Sequence, residues 1–144
     1  MHSVGIFAPE TVEAAHEQYD ALGFSAQTVV REVAKAMSFD RDEYRERVTT
    51  DVVMTAREAL FASLLEVTVG TREEFDEWCA DRNDEVELAG NENVDHVVWH
   101  PIPFAGVIVA ATFQNEETAA VGTLQRQAFG RHYRNAFEEH TTDE

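Results

Sequence analysis

EVELAGNENVDHVVWHPIPFAGVIVAATF, residues 85–113, is the stretch in which the apolar period of the chain changes from helical to alternating. Its β-branched runs cover 85–89, 94–100 and 106–113 and are divided by AGNEN and by PIPFA, a pattern that predicts an antiparallel meander. GVIVAATF is apolar at odd and even positions alike. That predicts a strand covered on both faces, by helices on one and by another layer, a second subunit being one candidate, on the other. His96 and His100 sit four positions apart and share a face of the middle strand, which separates them by about 13 Å, whereas ligands lie about 2 Å from a zinc ion. The pair therefore predicts no shared metal site. Both histidines read as partly exposed strand residues, with Trp99 and Val97 turned to the opposite, inward face.

Outside this stretch the pattern is helical. PETVEAAHEQYDALG reads as a helix started by Pro9, and a second helix runs from a Ser25 cap through Met37 with Val29, Val33 and Ala36 as its inward face. A third, long helix is expected from about Arg41 to Val67, because DVVMTAREALFASLLEV is apolar nearly all round. Thr71 and Glu74 form a capping box for a fourth helix that turns Phe75, Trp78 and Cys79 inward. Asn115 opens the last, EETAAVGTLQRQAFGRHYRNAFEEH, interrupted at Gly130. SVGIF near the start adds a short fourth strand. The expectation is an α+β fold of about five helices packed with a small antiparallel β-meander of three or four strands, in a single domain spanning 1–144.

The 144 residues carry 28 acids against 11 bases, a formal charge of −17, and Lys35 is the only lysine. A compact body this acidic repels itself unless salt screens it, so the composition predicts a concentrated-salt cytoplasm. One cysteine, Cys79, excludes an internal disulfide and a multi-thiolate metal site. The N-terminus lacks the pattern of a signal peptide, and no apolar run is long enough to span a bilayer, so no membrane partner is expected. None of the glycine-rich phosphate loops, nucleophile elbows or zinc-helix motifs is present, and no cofactor or metal is implied. His132 projects among Val121, Leu124, Ala128 and Ala136, and reads as a hydrogen-bonded core histidine, as does His16.

One segment departs from the acidic background. Thr118 to Phe137 contains no Asp or Glu in twenty residues, while Thr71 to Asp95 holds ten acids and two arginines. One explanation is burial of much of this helix together with internal pairing of its arginines with acidic helices. The functional expectation is a contact or anion-binding surface made by Arg131 and Arg134 on one side, with Tyr133 and Arg126 on another flank.

LGFSAQTVVREVAKAMSFDRDEYRERVT, DVVMTAREALFASLLEVTVGTREEFDEW and TLQRQAFGRHYRN together resemble a family of short acidic haloarchaeal proteins of unknown function. The resemblance runs along nearly the whole chain and implies a saline cytosol without implying an activity. The sequence thus points to a binding or regulatory module, expected as a homodimer, that meets a protein or anionic partner through its last helix. A small hydrolase built on His96, His100 or His132 with a carboxylate is the alternative. An RNA- or phosphate-binding protein is the third class, which needs the arginines aligned on an open groove; nucleic acid is the less expected partner.

Overall fold

β4 (His96–Ile102) and β5 (Val107–Phe113) form an antiparallel hairpin, in register from His96 opposite Phe113 to Ile102 opposite Val107. A 3-10 turn, Pro103–Ala105, closes it, and Gly106 supplies the left-handed residue at φ 67°. The computed structural model describes residues 1–142 and departs from a meander on both sides of this hairpin. β3 (Glu85–Ala89), expected beside β4, instead lies along β5 and runs parallel to it. The place next to β4 belongs to β2 (Val67–Thr71), and β1 (His2–Val4) pairs with β2 at the edge. The antiparallel meander of three or four strands is therefore corrected to a five-stranded mixed sheet of order β1-β2-β4-β5-β3, within the expected α+β class.

The connection after β3 gives the physical reason. Gly90 sits at φ 121° with its Cα against Thr112 of β5, where a side chain would collide with the threonine hydroxyl. The Asn91 N–H donates to Thr112 Oγ1 at 3.1 Å. The chain thus crosses the end of β5 instead of turning back on itself, and β4 forms on the far side.

The long helix expected over 41–67 is also corrected. It divides into α3 (Arg41–Arg47) and α4 (Thr50–Ser63), because Val48 leaves helical geometry and Thr49 Oγ1 caps a new start by accepting from the Val52 N–H at 3.3 Å. Beyond Ser63 the β-branched VTV of β2 is extended, with Val67 and Val69 buried in the sheet.

Helices α1 (Val12–Asp20), α4, α6 (Glu117–Ala128) and α7 (Arg134–Thr142) supply the core on one face of the sheet, against Val98, Ile102, Val107 and Val109. Phe61 is the hub of that core, with the rings of Phe7, Tyr19, Phe129, Tyr133 and Phe137 around it. The opposite face is covered by α5 (Arg72–Cys79). There Phe75 and Trp78 lie 5.1 and 5.9 Å from the Trp99 ring, over Val97, Ile108 and Ala110. Both apolar faces of β5 are thereby covered from within the chain, without a second subunit. The Thr71–Glu74 capping box that starts α5 is formed as the sequence predicts.

α2 (Gly23–Ala36) packs chiefly on α4, and through Ala26, Val30 and Ala34 rather than the expected Val29, Val33 and Ala36. Two alanines in the stripe let the helix axes approach closely, which the bulkier valine stripe would prevent. Val29 and Val33 are left exposed.

Candidate contact groove on the last helix

The acid-free segment does not form one regular helix. Between α6 and α7, Phe129–Tyr133 is a π turn, which accommodates one extra residue. Up to that point the inward stripe is the predicted one, with Val121, Leu124 and Ala128 buried. Beyond it the stripe moves one position along, from His132 and Ala136 to Tyr133 and Phe137. Tyr133, expected on the flank of a contact surface, is fully buried. The turn also separates the cations: Arg131 lines a hollow with His132, Val12, Glu13 and Phe104, whereas Arg134 lies on the side facing α4.

What the fold brings together is Arg126 and Arg134. They border a groove of about 500 Å³ between α4 and α6, floored by Ala59, Ala62, Gly122 and Phe129. Arg126 donates from Nη2 to Thr123 Oγ1 at 3.3 Å. Arg134 donates to Glu58 Oε2 at 3.4 Å and lies over the Phe129 ring at 5.2 Å. Both guanidiniums are exposed, so each keeps donors facing solvent. The groove wall is fixed from below by Gln125, whose Nε2 donates to the carbonyls of Ser63 and Leu65 at 3.0 and 2.9 Å. It thereby satisfies carbonyl groups where α4 gives way to β2.

The histidines are dispersed. His100, expected partly exposed, is buried on the helical face of the sheet, its Nδ1 2.6 Å from the Glu66 carbonyl and its Nε2 2.7 Å from the Tyr133 hydroxyl. The reason is again the π turn, which swings Tyr133 over β4 and gives the imidazole an interior partner. Burial lowers the pKa of His100 to about 4 and pushes that of Tyr133 well up. His132 is partly buried and meets Glu87 Oε1 at 2.9 Å. His96 stacks on Phe113. His16 meets Asp20 at 3.0 Å. Among the described residues no group of three His, Cys, Asp or Glu side chains stands close enough to hold a metal ion. The Cys79 thiol packs beside the Trp99 cluster, and burial followed by the Asp76 carboxylate holds its pKa above the ordinary value. It is no activated nucleophile.

Sequence reasoning missed a second gathering of cations. Arg31, Lys35, Arg41 and Arg45 line an open hollow of about 900 Å³ between α2 and α3, together with Glu32 and Asp40. The i, i+4 spacing of Arg31 with Lys35 and of Arg41 with Arg45 carried the signal.

Compared with known proteins, the chain matches the model of a family of unknown function, DUF5809, over residues 6–134. The chain belongs to the DUF5809 family. No curated protein and no solved structure matches it. The DUF5809 match spans strands β2 to β5 and the groove up to Arg134, while the edge strand β1 precedes it. Among the described residues no helix is long and apolar enough to cross a membrane.

Proposed function

We propose that this DUF5809 protein is a protein-interaction module of a saline cytosol that self-associates, and that its α4–α6 groove receives a carboxylate-bearing segment of a protein partner. The observation that supports the groove is the placement of Arg126 and Arg134 along one apolar-floored channel, in a twenty-residue acid-free part of a chain of charge −17. Guanidinium groups pair carboxylates through two parallel hydrogen bonds, and small residues on the floor leave room for a backbone. Arg131 and Tyr133 drop out of this surface.

The groove is favoured over a hydrolase site. The hollow beside the His132–Glu87 pair is lined by Val12, Glu13, Phe104, Ala105, Arg131, Asn135, Ala136 and Glu139, none of which is a hydroxyl or thiol nucleophile. Fluorescence anisotropy with a labelled glutamate-rich peptide tests the reading. Binding that falls roughly tenfold in Arg126→Glu with Arg134→Glu supports it. No binding, or binding indifferent to the double substitution, overturns it. Tight, salt-sensitive binding of a labelled oligouridylate instead would favour the RNA-binding class.

A further inference from the structure

α2 stands at the margin of the fold, packed chiefly on α4, and its contact stripe Ala26, Val30, Ala34 divides its surface in two. At 100° per residue, Gln27, Arg31 and Lys35 fall on one side of the stripe, and Val29 and Val33, with Met37 at the end, on the other. On the first side Arg31 and Lys35 line the hollow shared with α3, and Gln27 lines another with Val53, Met54 and Arg57 of α4. α4 is engaged elsewhere too. Arg57 stacks on Tyr19 of α1 at 4.2 Å, and Glu58, Ala59 and Ala62 face α6.

By helical projection, the remaining outward side of the pair carries Val29, Val33 and Met37 on α2 and Val52 and Ala56 on α4. Val29 and Val52 are each 42% exposed, Val33 52% and Met37 61%, and the projection places no charged side chain among them. A strip of aliphatic side chains without a charge is out of keeping with this chain, 27% of whose residues are charged. The surrounding segment is equally distinct: Ala21 to Arg57 holds six acids and six bases, while the rest of the chain holds 22 acids against five bases.

We infer that this face binds a second copy of the chain about a two-fold axis, with α2 and α4 of both protomers forming one four-helix layer. In a two-fold contact each patch meets its own image, so an acidic patch would repel itself. The charge-free strip, set in a segment of zero net charge, lets the protomers approach without that repulsion and removes the exposed valines from water. The assignment rests on the self-association proposed above and names its surface. It is independent of the arginine groove.

Sedimentation equilibrium of the full chain in molar KCl tests it. A mass twice the 16.2 kDa of one chain is expected, with Val33→Glu and Val52→Glu each weakening self-association by roughly tenfold or more while circular dichroism is unchanged. Val33→Ala, which introduces no charge, should weaken it by a smaller factor, and Arg131→Glu should leave it as it is. A dimer unmoved by all the α2 and α4 substitutions would overturn this surface while leaving self-association standing. A monomer at near-millimolar concentration would overturn both. Peptide binding through Arg126 and Arg134 is read separately, so its failure leaves the dimer surface untouched.

Discussion

His100 lies between the Glu66 carbonyl and the Tyr133 hydroxyl, joining β4 to the π turn in the middle of the core. A carbonyl can only accept, so Nδ1 carries the proton and donates to Glu66, and Nε2 accepts the Tyr133 hydroxyl hydrogen. The imidazole is neutral, and this arrangement satisfies both of its nitrogens.

Protonation of that ring opposes folding. The unfolded imidazole, with the ordinary value of 6.5, binds a proton that the buried one takes up only near pH 4. The contribution of neutral His100 is therefore complete above about pH 6.5 and is lost as pH falls toward 4, with a magnitude of about 3 kcal/mol. Neutralising carboxylates relieves self-repulsion over the lower part of this range, so the informative quantity is the difference between wild type and His100→Gln. Denaturant unfolding in molar KCl between pH 7 and 4 should show a steeper loss in the wild type. Parallel pH profiles would exclude the titration of His100 on unfolding.

Tyr133→Phe keeps the ring and removes the hydrogen that Nε2 accepts. With both groups buried, an unsatisfied nitrogen costs about 1–3 kcal/mol. The melting midpoint should fall accordingly while far-ultraviolet circular dichroism remains native.

Gln125 is buried in α6 and its amide serves two carbonyls at the junction of α4 and β2. Gln125→Leu has a similar volume but leaves both carbonyls without that donor. A loss of about 2 kcal/mol or more is expected in denaturant titration, with Gln125→Glu also destabilising because a carboxylate would face two acceptors. A neutral effect of both substitutions would show that water replaces the amide.

Gly90→Ala should be among the most damaging substitutions of a loop residue. Its φ of 121° is disfavoured for any side chain, and the methyl group would strike Thr112. Thr112→Ala relieves the collision but not the backbone strain, so the double variant should recover part of the lost stability. Thermal melts of the three variants measure that coupling.

The composition makes its own prediction. With 28 acids on 144 residues, raising KCl from dilute to molar should raise the melting midpoint, most steeply over the first increments, where the Debye length shortens fastest. A midpoint independent of salt would remove the argument for a saline solvent.

Local signals in the sequence were legible and distant ones were not. The capping box at Thr71 and Glu74, and the inward set Phe75, Trp78 and Cys79, depend on residues within two turns of one another, and the structure has them as read. Strand positions near 85–89 and 106–113 were also visible. Which strand lies beside which depended on the crossing at Gly90 over Thr112, which no periodicity records. β2 was hidden because VTV follows an apolar helix with no Gly or Pro and only Glu66 immediately before it. In the candidate groove, the acid-free composition points to Arg126 and Arg134, but helical spacing puts them on different flanks, because a constant 100° per residue misplaces everything beyond Phe129. The one extra residue in the π turn exchanged the surroundings of His132 and Tyr133. Phe129, Tyr133 and Phe137, four apart, were the available hint, since three large aromatic rings fill a core better than His132 and Ala136.

β3 has its sheet partner on one side only, and that partner, β5, is made later on the ribosome. Residues 85–89 therefore emerge before the only strand that can hold them, and must wait unpaired until 107–113 has followed. β3 can pair only once β5 has been made, so the portion of the nascent chain that precedes residue 107 cannot complete the sheet by itself. The alternating glutamates of EVELA, at 85 and 87, keep the waiting segment dissolved and discourage it from joining the wrong edge.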